Sequence, residues 1–474
     1  MLFDITPEEK EFLDLVNHAS KELETPSYIV GGYVRDRILG RPSKDLDIVC
    51  LGSGIKLAEK LSKKLFPIPQ ITIFQRFGTA MFRYRGMDIE FVGARKESYH
   101  WDSRKPVVEN GTLQDDQNRR DFTINALAVS LNDSDFGTII DPFNGFRDLE
   151  NKLIRTPLKP DKTFSDDPLR MMRAIRFASQ LNFNIAQEAL DSIKKNNTRI
   201  HIISKERITT ELNKILLSPK PSYGLNLLYQ TGLLQIILPE LTALVGVEIK
   251  NGIGHKDNFY HTLEVIDNLR SETDDLWLMW AALTHDIAKP QTKRFDETLG
   301  WTFHGHETLG AAMVPRIFKK LRLPLDQKMK YVQKLVLLHL RPIALTNDQV
   351  TDSAVRRLIF DAGEDIDDLL KLCKADITSK NEGKVQKYRN NYNYLIEKIK
   401  EIEEKDHLRN WQPPISGETI MRIFNLPPSR MVGTLKSAIK DAILDGIISN
   451  DYESAYNHLL LIAEPLGLKP MQPQ

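Results

Sequence analysis

A single change of hydrophobic period divides this chain. Up to about residue 155, short runs that alternate apolar and polar residues mix with helical stretches; beyond Pro160 the helical period continues almost to the end. The clearest strand signal is Phe77 to Ala94, where Ala80, Phe82 and Tyr84 alternate with Met81, Arg83 and Arg85 before a turn near Gly86 and a return strand from Asp88 to Val92. Residues 5 to 24 read as an amphipathic helix opening at Thr6-Pro7, a cap followed by a first-turn proline. The expected fold class is therefore α+β: a head with a small mixed β-sheet, followed by an all-helical body.

At 474 residues, 41% of them apolar, the chain is long enough for several domains, each with its own core. The expected divisions are a head over 1–155, a helical neck over 156–235, a helical body over 236–405 and a helical tail over 406–474, with Leu408 to Ile415 as the linker into the tail. Arg95 to Asn118 and Ala375 to Lys387 are charged and aperiodic and read as irregular connections, while the proline-rich ending from Glu464 reads as frayed. With 65 basic against 64 acidic residues, no global field draws the protein to nucleic acid or anionic lipid, so any RNA contact must come from local patches. Cys50 and Cys373 are too few for a disulfide framework and read as buried thiols. The first fifteen residues carry Asp4, Glu8, Glu9 and Glu11 where a signal peptide needs an apolar core, and no apolar run approaches the roughly 18 residues of a spanning helix. A cytoplasmic protein without membrane contact is expected, and nothing in the sequence marks its oligomeric state.

The chemistry starts at Asp45-Leu46-Asp47. On a strand the two aspartates share one face, and Leu46 and Ile48 point to the opposite, apolar side. Paired carboxylates suit a hard divalent cation such as Mg²⁺, which takes carboxylate oxygens together with substrate phosphates. The preceding Gly31-Gly32 lets backbone amides approach a phosphate chain. The combination points to phosphoryl or nucleotidyl transfer, although an Asp-x-Asp alone is more often a solvated strand face.

The string Gly31, Gly32, Val34, Arg35, Asp36, then Asp45 and Asp47, resembles the nucleotidyltransferase superfamily, and in detail the class II tRNA CCA-adding enzymes and bacterial poly(A) polymerases. A second block, Arg119-Arg120-Asp121-Phe122-Thr123-Ile124-Asn125-Ala126, follows in the order of that family. Its arginines can neutralise a triphosphate, and on a helix Asp121 and Asn125, four residues apart, would face the same way. The resemblance implies that Arg120, Asp121 and Asn125 contact the sugar and phosphates of the incoming nucleotide. In a third block, Asp166-Asp167-Pro168-Leu169-Arg170, the proline after an aspartate marks a helix start, with Arg170, Arg173 and Arg176 on one face. It resembles the family's base-selecting motif, which implies that Asp167 and Arg170 act as an amino-acid template for cytosine and adenine. Asp166 stands where many members have glutamate. Asp141 to Arg147 and Glu206-Arg207-Ile208 with Glu211 resemble structural motifs of the head–neck junction and the neck. Glu90 is the candidate third carboxylate, since its strand can pair beside that of Asp45 and Asp47; an acid on an edge strand would look the same.

Six of the eleven histidines, His255, His261, His285, His304, His306 and His339, crowd into one part of the helical region. Imidazoles combined with carboxylates suit a transition metal such as Mn, Fe, Ni or Co better than an all-oxygen magnesium cage. His261, the His285-Asp286 doublet with Lys289 after it, and Asp376 resemble the HD phosphohydrolase superfamily, and His306 and His339 match the added histidines of its two-metal versions. That resemblance implies a metal-dependent phosphatase or cyclic phosphodiesterase on the same chain.

The expected function is template-independent addition of CCA to the 3′ end of tRNA from CTP and ATP. Basic runs at Arg316 to Lys334 and Lys374 to Arg389, and a tail resembling that of HD-bearing members, are the candidate RNA contacts. Poly(A) polymerase and a CC-adding enzyme compete with this reading because they share the head motifs, and the single lysine after Glu464 speaks against the basic extension common in the polymerases. An HD hydrolase or sensor with a degenerate head, and an RNA-binding protein without catalysis, are the alternatives from other classes. Both are disfavoured by the intact head blocks.

Overall fold

The computed structural model describes residues 2–98, 107–345, 351–378, 382–406 and 411–471, in two compact units, Met1–Thr242 and Ala243–Gln474. The first unit opens with α1 (Pro7–Glu22), whose start is a capping box: Thr6 Oγ1 accepts the Glu9 amide at 3.3 Å while Glu9 Oε2 accepts the Thr6 amide at 2.8 Å. There follow β1 (Ser27–Val30), α2 (Gly32–Ile38), β2 (Asp45–Cys50), α3 (Gly54–Ser62), β3 (Thr72–Phe74), β4 (Thr79–Tyr84) and β5 (Met87–Gly93). After the ribbon β6 (Arg95–Ser98) and β7 (Val107–Asn110) come α4 (Leu113–Asn118), β8 (Ala128–Ser130) and β9 (Ile139–Ile140).

Seven of these strands form one mixed sheet in the order β3-β4-β5-β2-β1-β8-β9, with β2 and β5 parallel and every other pair antiparallel. The β4–β5 hairpin closes through a two-residue turn, Arg85-Gly86, with φ of 47° and 81°. Such primed turns match the twist of the strands they join. Leu46, Ile48, Phe82, Ile89 and Phe91 are buried, and Phe12 of α1 stacks on Tyr84 of β4 at 5.7 Å, so one face of the sheet is sealed by helices. The alternate residues of β2 and β5 are left for chemistry.

The neck continues the same unit: α5 (Gly145–Glu150), α6 (Pro160–Asp166), α7 (Leu169–Leu181), α8 (Gln187–Asn196), α9 (Lys205–Leu216) and α10 (Pro221–Gln230). Strand pairing does not stop at Pro160, since Leu153–Ile154 pairs in parallel with Asn184–Ile185 and two short ribbons lie at 249–254 and 294–302.

The second unit packs the helices Asn258–Arg270, Leu276–Thr284, His306–Leu321, Gln327–Leu338 and Ile366–Asp376 around Phe259, Trp280 and Phe318. Its last three helices, Gly417–Phe424, Arg430–Leu444 and Tyr452–Ala463, share a separate core that includes Ile420, Leu435, Ile439 and Leu459. Cys50 and Cys373 are buried free thiols, the first raised to about 12 by burial. Among the described residues no helix is long and apolar enough to cross a membrane.

Three expectations need correction. Arg95 to Asn118 is not irregular where described: β6 pairs with β7, and Thr112 caps α4 in a second capping box. Lys96 faces Glu109 across that ribbon, so charge pairing stands where an apolar alternation would have been legible. Of Ala375 to Lys387, Ala375 and Asp376 close the helix Ile366–Asp376 and Glu382 to Lys387 open the helix Glu382–Asp406, with Ile377 and Thr378 outside both; Glu382, Lys384, Gln386 and Lys387 dilute the apolar period there. The chain end is tied as far as Met471, whose amide donates to Ile423 O at 2.8 Å.

Candidate active site and metal centre

Gly31 ends β1 with φ of +79° and starts α2. A Cβ there would lie 3.0 Å from Asp47 Oδ2 and 3.1 Å from Arg120 Nη1, so both the conformation and the close approach call for glycine. On β2 Asp45 is exposed and Asp47 half-buried, and the parallel register sets Asp45 beside Asp88 and Asp47 beside Glu90. Glu90 therefore lies on the same sheet face as the aspartates, one strand away. Burial raises Asp47, against the pull of Arg120, and raises Glu90, reinforced by Asp47 itself. Carboxylates that resist ionisation next to one another favour a cation between them. Asp45, Asp47 and Glu90 offer only carboxylate oxygens, a donor set that suits a hard divalent cation.

The expected helix at Arg120 to Ala126 does not form. Arg119 caps the end of α4, the Asp121 side chain accepts its neighbour's amide (Phe122 N, 2.9 Å), and only a 3₁₀ turn, Thr123–Asn125, follows. Local side-chain bonds of this kind divert a backbone from the helix. The pairing of Asp121 and Asn125 survives without it: Asn125 Nδ2 donates to Asp121 Oδ1 at 2.9 Å, and Asn125 Oδ1 accepts Arg35 Nη1 at 2.7 Å. Burial alone would raise Asp121, but Arg173, whose Nε donates to Oδ2 at 2.7 Å, together with Asn125 and Arg170 brings it down to about 2.

A residue the sequence left unmarked organises the arginines. Asp116 is fully buried; its Oδ1 takes Arg119 Nε at 2.9 Å and its Oδ2 takes Arg120 Nε at 3.0 Å. It lies within the stretch that reads as irregular, and its only signal is its place one helical turn before the arginine pair.

Just before α7, Asp167 Oδ1 accepts the Leu169 amide at 3.1 Å, and on that helix Arg170 Nη2 donates to Arg119 O at 2.5 Å. Arg176 is buried against Glu211 of α9, Nε to Oε2 2.5 Å, and against Gln180. Gly31, Gly32, Arg35, Asp47, Arg120, Asp121, Asn125, Asp167, Arg170, Arg173 and Arg176 all line one cleft of about 410 Å³. Asp45 and Glu90 are not part of its lining. Removing Glu211 leaves a buried guanidinium with one neutral partner, so Glu211→Ala should destabilise the first unit by about 3–5 kcal/mol in urea denaturation, and Arg176→Met with Glu211→Leu by far less.

The second unit gathers His261, His285, Asp286, His306, His339 and Asp376, all at or near helix ends. Asp286 is their hub, with His285 Nε2 3.3 Å and His261 Nε2 3.6 Å from Oδ2, and His306 Nε2 3.2 Å and His339 Nε2 3.8 Å from Oδ1. Asp376 Oδ1 lies 2.8 Å from His261 Nε2. His285, His306 and His339 each turn Nδ1 to a backbone carbonyl, of Ala282, Phe303 and Val336, at 2.7 Å. Each Nδ1 thus donates to its carbonyl and Nε2 faces inward as the nitrogen that a metal ion would take, the arrangement of metal-ligating histidines. His285 Nε2 is buried with no hydrogen bond of good geometry.

Two ligand groups share Asp286, one with His261 and His285 and one with His306 and His339, which fits a pair of ions. Burial opposes charge on His285, yet Asp286 and Asp376 raise it to about 10, while burial and His285 push His339 down to about 4. Two buried carboxylates thus demand positive charge at this point. His304 is exposed and His255 packs edge-on against Trp301, so neither joins the centre.

The fold and its two sites define a nucleotidyltransferase head joined to a histidine–aspartate metal centre. Residues 27–155 match the poly A polymerase head domain, 182–244 the probable RNA and SrmB-binding site of polymerase A, and 258–380 the HD domain. The multifunctional CCA protein of Xylella fastidiosa is 31% identical over 376 residues, covering 74% of this chain and 83% of that protein. The A-adding tRNA nucleotidyltransferase of Deinococcus radiodurans is 29% identical over 438 residues, covering 90% and 93%. The Bacillus stearothermophilus CCA-adding enzyme in complex with CTP superposes with a TM-score of 0.65 over 98% of this chain and 99% of that one at 24% identity, a likeness of fold. The chain belongs to the CCA-adding tRNA nucleotidyltransferase family. Both its head and its HD domain are of metal-dependent kinds.

Proposed function

We propose that this protein adds CCA to the 3′ end of tRNA from CTP and ATP, in the cytoplasm, and that its second unit hydrolyses phosphate esters. The observation that carries the first part is the single cleft that joins Asp47 and Gly31 to the arginines of α7. Asp45 and Asp47 would hold Mg²⁺, which would supply Lewis acidity toward the α-phosphate and the terminal hydroxyl. Glu90 serves as the third carboxylate beside them. Gly31 and Gly32 admit the phosphate chain, Arg120 neutralises it, and Asp121 with Asn125 orients the sugar. Asp167 accepts from the exocyclic amino group of cytosine or adenine while Arg170 donates to the adjacent ring nitrogen; uracil and guanine present the reverse pattern at those positions. Arg35, Arg173 and Arg176 complete the wall, and most of the acceleration comes from positioning and charge neutralisation.

In the second unit His261, His285, Asp286, His306, His339 and Asp376 suit Mn, Fe, Ni or Co, which would supply an activated water for attack on a phosphate ester. A narrower reading of the head, addition of the terminal A alone, is suggested by its likeness to the A-adding tRNA nucleotidyltransferase of Deinococcus radiodurans.

One experiment separates these readings. Given CTP and ATP, the purified protein should extend a tRNA ending at its discriminator base by three nucleotides. Extension only of a tRNA already ending in CC marks an A-adding enzyme; long tails from ATP alone on unrelated RNA mark a poly(A) polymerase.

A further inference from the structure

Phe177 lies two turns after Arg170 on α7, is 5% exposed and lines the cleft. Three guanidinium carbons converge on its ring, with Arg176 at 3.8 Å, Arg35 at 4.8 Å and Arg173 at 5.4 Å from the centroid. Each of these arginines has its own acidic partner: Asp36, its neighbour on α2, for Arg35, Asp121 for Arg173 and Glu211 of α9 for Arg176. The ring is common to all three. An aromatic face attracts cations through its quadrupole and, unlike a carboxylate, does so without adding charge to the site or drawing the donors of a guanidinium away from other partners. That leaves Arg35 free to hold Asn125 and Arg173 free to hold Asp121.

The contacts of the ring also join separate parts of the machinery. Arg35 belongs to α2, which starts at the glycine pair; Phe122, beside the 3₁₀ turn that carries Asn125, meets Phe177 edge-on at 5.8 Å. The ring therefore ties the helix that bears Arg170, with Asp167 just before its start, to the segments that carry Gly31 and Asn125. We propose that Phe177 is a positioning residue for the incoming nucleotide, its aromatic face setting the three arginines and the register between the base-selecting and phosphate-binding sides of the cleft. The proposal rests on the nucleotide-transfer reading of that cleft.

The test uses the full chain and the variants Phe177→Tyr, Phe177→Leu and Phe177→Ala. CTP binding without tRNA is measured by calorimetry, with kcat and KM for CTP and ATP on tRNA, the rate of UTP misincorporation, and the melting temperature. Tyrosine keeps the ring and should stay within about twofold of the native values. Leucine keeps much of the packing but lacks the quadrupole; Kd and KM should rise about fivefold or more, kcat should change less, and misincorporation should increase. Leucine indistinguishable from phenylalanine, or tyrosine and leucine impaired alike, would overturn the proposal, and that comparison decides the matter if alanine does not fold. A native protein that neither binds CTP nor extends tRNA defeats the functional reading, and this inference with it.

Discussion

Asp47→Ala is expected to lower nucleotide addition by at least about a thousandfold, some 4 kcal/mol of transition-state stabilisation, while leaving the protein folded. The size follows from the carboxylate's position. It is half-buried beside Gly31, against Arg120, on the strand face shared with Asp45 and Glu90, and in the proposed reaction it holds the ion that neutralises the transferring phosphate. Its effect on stability should run the other way. Burial raises Asp47, so the fold bears a cost for keeping it ionised, and removing it should leave the melting temperature unchanged or higher. Single-turnover extension of tRNA together with calorimetric melting checks both halves. An Asp47→Ala protein that still extends tRNA at a tenth of the native rate would remove the basis for the proposed chemistry.

Asp286→Ala should abolish phosphate-ester hydrolysis, by at least about a thousandfold, and spare nucleotide addition. Asp286 offers its two oxygens to four imidazoles at 3.2 to 3.8 Å and belongs to both ligand groups of the centre, so one substitution strips both of their shared anion. Lys289, 2.6 Å from Asp286, loses its partner at the same time. Metal content of the purified protein after incubation with Mn, Co or Ni should fall with hydrolysis. Each site is built within one compact unit, so tRNA extension should remain near the native rate. Full retention of metal by Asp286→Ala would show that the centre described is not where the ion binds. Loss of extension along with hydrolysis would instead reveal coupling between the two activities.

The chain announces its ligand types but not always their surroundings. Asp45 and Asp47 are legible because strand alternation alone sets them on one face, and Thr6-Pro7 is legible because a capping box is local. The histidine centre could be assembled from sequence by resemblance, whereas the inward aim of each imidazole depends on carbonyls three residues back at helix ends. The helix expected at Asp121 to Asn125 fails because a four-residue spacing suits both a helical turn and a 3₁₀ turn braced by side chains, and only the neighbours decide: Thr123 Oγ1 donates to Asp148 of α5 at 2.7 Å. The ribbon after β5 was hidden by its charge, and Asp116 with it.

By itself the sequence determined which residues can carry charge, turn sharply, cap a helix or alternate on a strand, because those properties are local or periodic. Only the tertiary structure decided which of them meet. Asp47 stands beside Glu90 through parallel pairing of strands 43 residues apart in register, Arg176 finds Glu211 on another helix, and Phe177 collects three arginines from two elements. Such meetings depend on packing between distant segments, which no spacing along the chain encodes.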